Sequence, residues 1–390
     1  MSHVKHIVIL VGKSPFWSDE KIYILMCFPY MQITTPMTKP KKIPAPETCL
    51  AAKDSLEAKI VEATLKPKKK YRQEWTEYNL AQTKEKLVFY RLLDELLTVI
   101  PERSYSFGRP TTSLRTKLFC CMIKTYNCMS CRRTMSDLEM ACQAGYIDKV
   151  PHFNTILNYF HDSSFGPILR YLIQVSSDPL ANVETQFAVD SSAFAIYEDK
   201  TDTTPRKTHD HTNKFKKAHI KTGVKTNVVT AAFVTKGNVP DIEAIEPLLK
   251  RTKDLFTIKE VMADKGYCSR EVHGVIHNLG AIPYIPFKKG VGGKPEGVPI
   301  WTRMHNMYYE RNAHFRKHYG KRNNVEATFS VIKRILGSKC RSRLSESQNN
   351  EILCKILAHN IIVLVHEMFE LRIDIDFLES SGHVLAHKGD

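Results

Sequence analysis

The sequence predicts an α/β fold: a mixed sheet flanked by helices, preceded by an all-α N-terminal domain. Three observations carry that reading. From Trp75 to about Gln174 the apolar residues recur at helical spacing. At Thr185 the texture changes to short Val-, Thr- and Ala-rich runs that alternate with helical patterns, as strands and their connecting helices do. Two of those runs end on an aspartate, at the strand ends where open α/β sheets gather ligand groups.

Taken in order, residues 1–64 differ from the rest. Ile7–Val11 and Ile22–Phe28 are short apolar runs; the second, closed by Pro29, is too short to span a membrane. Gly12-Lys13-Ser14 does not close a phosphate-binding loop, because Ile7 stands where that loop's first glycine belongs. The Pro- and Lys-rich segments Lys39–Pro46 and Lys66–Arg72 read as solvated linkers. Met31 and Met37 are alternative starts, so residues 1–30 are expected to be dispensable for folding.

The helical region follows. Leu87, Tyr90, Leu93, Leu97 and Ile100 mark one helix that ends before Pro101. Thr112–Lys124 carries Leu114, Leu118, Phe119 and Met122 beside Arg115 and Lys117; Thr134–Asp137 opens a helix ending near Gly145; Phe153–Phe160 and Phe165–Ile173 complete the set. Short helices with interspersed basic residues fit a helix-turn-helix-like DNA-binding module, and equally a plain helical domain packed on its neighbour.

Beyond Thr185, Gln186–Asp190 reads as a short buried strand ending on Asp190, and Lys225–Thr235 as a second strand. Pro240–Lys250 is helical, with Ile242, Ile245, Leu248 and Leu249 on one face. Ile258–Asp264 is a further strand ending on an acid, followed by a helix over Ser269–Leu279 and a strand over Ala281–Phe287. An acid at a strand end is also a common turn former or helix cap. The expected division is an extension and linker over residues 1–64, a helical, DNA-binding domain over 65–180, the α/β domain over 181–372 and a tail over 373–390.

A net charge of +16 with a pI near 9.3 favours a polyanionic partner, though by itself it implies only non-specific affinity. The basic residues concentrate in Arg206–Lys225 and Arg311–Arg343. The ten cysteines form no regular framework and are expected to be reduced. Cys128 and Cys131 make a lone Cys-x-x-Cys with Cys120 and Cys121 just upstream; the spaced pair His314 and His318 lies far downstream, so buried helix thiols are a better reading than zinc.

Tyr319–Lys333 reads as one helix in which Tyr319, Arg322, Glu326 and Lys333 fall within about 60° of one face. Val325, Phe329, Ile332 and Leu336 form an apolar stripe beside it that suits burial. A carboxylate among cations and a phenol fits a nucleic-acid site, and also a solvated, salt-bridged face. Together with Asp190 and Asp264, Glu326 completes a set of carboxylates of the kind that holds hard divalent cations for phosphodiester chemistry, provided the fold brings them together.

These residues carry a resemblance. Tyr319, Arg322, Glu326 and Lys333 match the Tyr-x2-Arg-x3-Glu-x6-Lys signature of a large group of bacterial and archaeal insertion-sequence transposases. Phe187-Ala-Val-Asp190-Ser resembles that group's first acid motif, and Ala263-Asp264-Lys-Gly266-Tyr267-Cys-Ser269 its second. The resemblance covers residues 185–370 well, Tyr71–Tyr159 loosely and 1–64 not at all. It implies a ribonuclease H-like catalytic domain whose DDE triad, Asp190, Asp264 and Glu326, binds two Mg2+ or Mn2+ ions. It implies that Tyr319, Arg322 and Lys333 grip DNA phosphates near the cleaved bond. The implied partners are the terminal inverted repeats of an element and its target DNA, both double-stranded, bound by a homodimer in a synaptic complex. No membrane is implied; the implied setting is the prokaryotic cytoplasm, at the nucleoid. Lys265 to Val325 is short for the β-rich insertion that some members carry. The runner-up is a catalytically inactive or repurposed DNA-binding protein derived from a transposase, and a third reading is a metal-dependent nuclease without strand transfer.

Overall fold

A computed structural model describes residues 74–101, 111–196, 215–250, 255–375 and 377. The extension at 1–64, residues 206–214 of the first basic segment and the tail beyond Phe377 lie outside the described residues. All described residues belong to one compact unit, Arg72–Asp390.

The helical region comprises α1 (Trp75–Leu97), α2 (Leu114–Tyr126), α3 (Cys131–Gln143), α4 (Phe153–Tyr159) and α5 (Phe165–Val175). In α1 the buried stripe runs through Phe89, Leu92, Leu93, Leu96 and Leu97, which recur at three- and four-residue steps. Leu87, expected on that stripe, is 71% exposed because it lies about 120° around the helix from Leu93. Helix α3 begins at Cys131 rather than Thr134: Ser130 accepts a hydrogen bond from the Arg133 amide and caps it. Cys120 and Cys121 are buried in α2 as helix thiols.

The α/β region holds β1 (Gln186–Ala195), β2 (Phe215–Gly223), β3 (Val229–Lys236), α6 (Ile242–Lys250), β4 (Glu260–Ala263), α7 (Arg270–Asn278), β5 (Ile282–Tyr284), α8 (Pro299–Glu310), α9 (Asn312–Tyr319), α10 (Asn323–Leu336) and α11 (Ser345–Glu370). The sheet has five strands in the order β3-β2-β1-β4-β5. Strands β1, β2 and β3 pair antiparallel, whereas β1, β4 and β5 pair parallel. This mixed sheet with flanking helices is a ribonuclease H-like α/β fold. The period-two alternation of β1 separates two cores: Phe187 and Val189 pack with α6–α9, and Ala188 and Phe194 pack with α10, α11 and the helical region. The central α11 is long and apolar enough to cross a membrane, and here its apolar residues are buried in that second core.

Several expected boundaries shift. Strand β1 does not stop at Asp190; it runs five residues further, held by antiparallel pairing of Ser191–Ala195 with β2. The stretch expected as one strand from Lys225 is the end of a hairpin: β2 precedes it, Lys225–Val228 turns with Asn227 at φ 64°, and β3 begins at Val229. Consequently Lys216 and Lys221 of the first basic segment are buried in the sheet, not spread on a DNA-facing surface. Strand β5 is shorter than expected, because only Ile282–Tyr284 pair with β4. Tyr319–Lys333 is not one α-helix: α9 ends at Tyr319, a 3-10 turn covers Gly320–Arg322, and α10 begins at Asn323. The apolar stripe of α10 is as expected, with Val325, Phe329, Ile332 and Leu336 all buried.

Candidate active site

Sheet register brings the two aspartates together. Val189 of β1 pairs with Ala263 of β4, the last partners of that parallel ladder, so Asp190 and Asp264 are the next residue on each neighbouring strand. Adjacent strands run about 4.8 Å apart. Each carboxylate is steered by the amide that follows it: Ser191 N donates to Asp190 Oδ1 at 2.8 Å, and Lys265 N to Asp264 Oδ1 at 2.7 Å. Asp264 thereby also caps the 3-10 turn Lys265–Tyr267.

Glu326 arrives in the first turn of α10, whose buried stripe docks that helix on the β1 face. Asn324 Nδ2 donates to Val224 O, which ties this turn to the residue following β2, and Thr328 Oγ1 donates to Asn324 O within the helix. Arg322 joins the site. Its Nη1 donates to Asp190 Oδ2 at 2.9 Å and its Nη2 to Glu326 Oε1. The guanidinium also lies 5.8 Å from the Tyr319 ring centre. Arg322 and Asp190 are 15% and 20% exposed, Glu326 55%.

The acids feel one another. Burial raises the Asp190 carboxyl above its ordinary range, Asp264 and Glu326 push the same way, and the Ser191 amide and Arg322 oppose them. Burial likewise raises the Tyr319 phenol, with Arg322 opposing and Asp264 adding to the rise. Among the described residues no three His, Cys, Asp or Glu side chains stand close enough to enclose an ion as they are; Arg322 is the cation bridging Asp190 and Glu326. As donors, the acids are hard carboxylate oxygens that suit Mg2+ or Mn2+.

Lys333 lies further along β1. Its Nζ donates to Ser192 Oγ at 2.7 Å and stands 5.2 Å from the Phe194 ring centre, so it is turned toward the sheet. Arg316, Lys317, Arg334, Lys339, Arg341 and Arg343 of the second basic segment are exposed. Sequence reasoning missed the clamp beneath Arg322. Glu260 of β4 accepts from Lys321 Nζ at 3.2 Å and pairs with His318 Nδ1 at 2.9 Å, while Lys321 also donates to Gln186. The only signal for it was an acid immediately before the apolar run Val261–Ala263 and a cation immediately before Arg322.

Residues 182–361 match the family model of the transposase DDE domain, a span that contains Asp190, Asp264, Glu326, Tyr319, Arg322 and Lys333. No curated protein and no solved structure matches the chain. The family match supports a DDE transposase.

Proposed function

We propose that the chain is an insertion-sequence DNA transposase that hydrolyses a phosphodiester at the element end and then joins the freed 3′-hydroxyl to target DNA. One observation carries this reading: within the span that matches the transposase DDE domain, carboxylates from β1 and α10 meet on a single guanidinium, and register sets Asp264 on the strand next to Asp190. Asp190, Asp264 and Glu326 would hold divalent cations, which when bound activate a water or sugar hydroxyl and stabilise the leaving oxygen. The chain's own residues do the positioning. The Ser191 and Lys265 amides aim the two aspartates, the Glu260 clamp fixes the turn that carries Arg322, and the α10 stripe fixes Glu326. Loading requires Arg322 to release Asp190 and Glu326, and a backbone phosphate is the replacement partner its planar fork suits. Tyr319 and Lys333 flank that path.

The test is incubation of the purified chain with duplex DNA carrying the sequences that bracket its own reading frame, a circular target, and Mg2+ or Mn2+. Joined products are expected. Glu326→Gln, Asp190→Asn and Asp264→Asn should each abolish cleavage while DNA binding survives, and combining them should add no further loss, since groups acting as one unit are non-additive. Near-normal cleavage by a well-folded variant of any one acid overturns the triad. Cleavage without joining would assign a nuclease, and binding without cleavage the repurposed DNA-binding protein.

A further inference from the structure

Lys124, like Lys221 of β2, is a buried lysine without a hydrogen-bond partner among the described residues, but Lys124 borders a cavity. It is 5% exposed at the end of α2, yet its ammonium makes no hydrogen bond, and no ion pair within 4 Å, to any described residue. It lies 4.7 Å from the Phe160 ring centre. The acid it influences is Glu351, whose carboxylate already accepts from Arg341 N, Ser342 N and Ser342 Oγ and pairs with Lys355 at 3.8 Å. Glu351 is thus shared between Lys124 and Lys355, which leaves this group of charges one positive charge in excess.

What faces it is a cavity of about 210 Å³ lined by Lys124, Ser130, Cys131, Arg132, Phe153 and Arg341, among others. Lys124 and Arg341 also line a smaller hollow of about 60 Å³, where Glu351 and Lys355 join them. No carboxylate lines the larger cavity. Arg132 and Arg341 are exposed and in no ion pair, and Arg132 is set in place by the Phe153 ring at 4.6 Å. The first turn of the 13-residue α3 opens here too, adding the positive end of a helix.

The loop that carries Arg341 is fixed before any ligand arrives. Lys355 Nζ donates to Gly337 O and Lys339 O, both at 2.8 Å, Glu351 holds the Arg341 and Ser342 amides, and Cys340 N donates to Ala195 O at 2.8 Å. That last bond fastens the loop to the end of β1, the strand that bears Asp190. Asp190 and Phe194 are four residue steps apart on the strand, about 13 Å, or roughly four base pairs of rise. Lys333 on Ser192 lies between, and the exposed Lys339 continues the line toward the cavity.

We propose that the Lys124–Arg132–Arg341 cavity binds one backbone phosphate of the duplex held at the acids, four or more base pairs from the bond that is cut. The proposal rests on the DNA-binding reading above. It assigns that duplex a fixed anchor at the junction of the helical region and the sheet, where a phosphate offsets the excess positive charge of Lys124, Arg132 and Arg341.

The experiment scans the duplex with single neutral methylphosphonates and measures affinity of the full chain in EDTA, so that no strand is cut. For the unaltered chain one position outside the cleaved bond should weaken binding about tenfold. In Lys124→Met and in Arg341→Gln that same substitution should have no further effect, and the salt slope should be shallower by about one phosphate contact. Arg341 is exposed, so its variant answers the question even where Lys124→Met melts early. Lys149→Gln, an equal loss of charge at an exposed site, should keep the unaltered scan. If both cavity variants keep it too, the anchor is refuted while DNA binding stands; if the unaltered chain binds no duplex, both readings fall.

Discussion

Arg322→Ala should make the protein less stable without divalent metal and no less stable with it. The guanidinium compensates two carboxylates, and the two arms differ in weight. Asp190 is largely desolvated and already pushed up by burial and by its acidic neighbours, so losing a charge-assisted bond there removes about 2 kcal/mol. The Glu326 arm faces solvent and contributes only a few tenths. A cation entering among the acids must displace the same guanidinium, so the unaltered protein gives up that roughly 2 kcal/mol on loading and the variant does not. Apparent metal affinity of the variant should therefore be roughly 30-fold higher. Urea unfolding in EDTA and then across a Mg2+ or Mn2+ titration reads both effects at once. The deficit of the variant should close as metal saturates. A deficit that persists unchanged at saturating metal would show that Arg322 and the ion do not compete for Asp190 and Glu326.

Two further predictions concern groups away from the acids. His359 is buried on α11, its ring Nε2 donating to Asn227 O at 3.0 Å, and burial lowers it from 6.5 to about 4. Between those values the unfolded chain takes up a proton that the folded one refuses, so stability falls as pH drops from about 6.5 to 4, by at most about 3 kcal/mol; His359→Gln, which keeps the donor and does not titrate, should flatten that limb, and an unchanged acid limb would refute it. Lys221 on β2 is fully buried, and its amine finds no hydrogen-bond partner, only the Phe187 ring at 4.5 Å. A ring contact returns at most about 2 kcal/mol against a larger desolvation penalty, and burial lowers its pKa well below the ordinary value. Lys221→Met should stabilise, and its advantage should shrink by about 1.4 kcal/mol per pH unit as pH rises toward that of free lysine, because the unfolded chain then has less proton to lose. An advantage that does not change between pH 7 and 9 would mean the amine stays charged in the core.

Where the sequence was legible, a periodic pattern and a burial pattern coincided. The α10 stripe Val325, Phe329, Ile332, Leu336 needs only helical spacing to be seen, and the β4 run before Asp264 needs only its apolar residues. Strand β2 was invisible because Phe215–Gly223 reads as a solvated basic segment: Lys216, Lys217, His219 and Lys221 stand on a central strand. Each is accommodated by something distant in the chain, Ser345, Asp241, Thr235 and Phe187 respectively, which no local rule anticipates. Missing β2 also truncated β1, since the small polar residues after Asp190 have no reason to stay extended except the pairing that β2 supplies. The same limit governs the site. The i,i+4 spacing of Arg322 and Glu326 was readable, but the contact of Arg322 with Asp190 spans 132 residues and exists only through the register of β1 on β4 and the docking of α10. A sequence shows which charges are present, whereas the sheet decides which of them face one another. Here it turns Arg322 and Lys333 inward, onto Asp190 and Ser192, so in the absence of DNA the cations nearest the acids are already occupied. On the proposed DNA-binding reading, first contact with a duplex falls to exposed cations such as Arg316, Lys317, Arg334, Lys339 and Arg341, and the inward pair changes hands only afterwards.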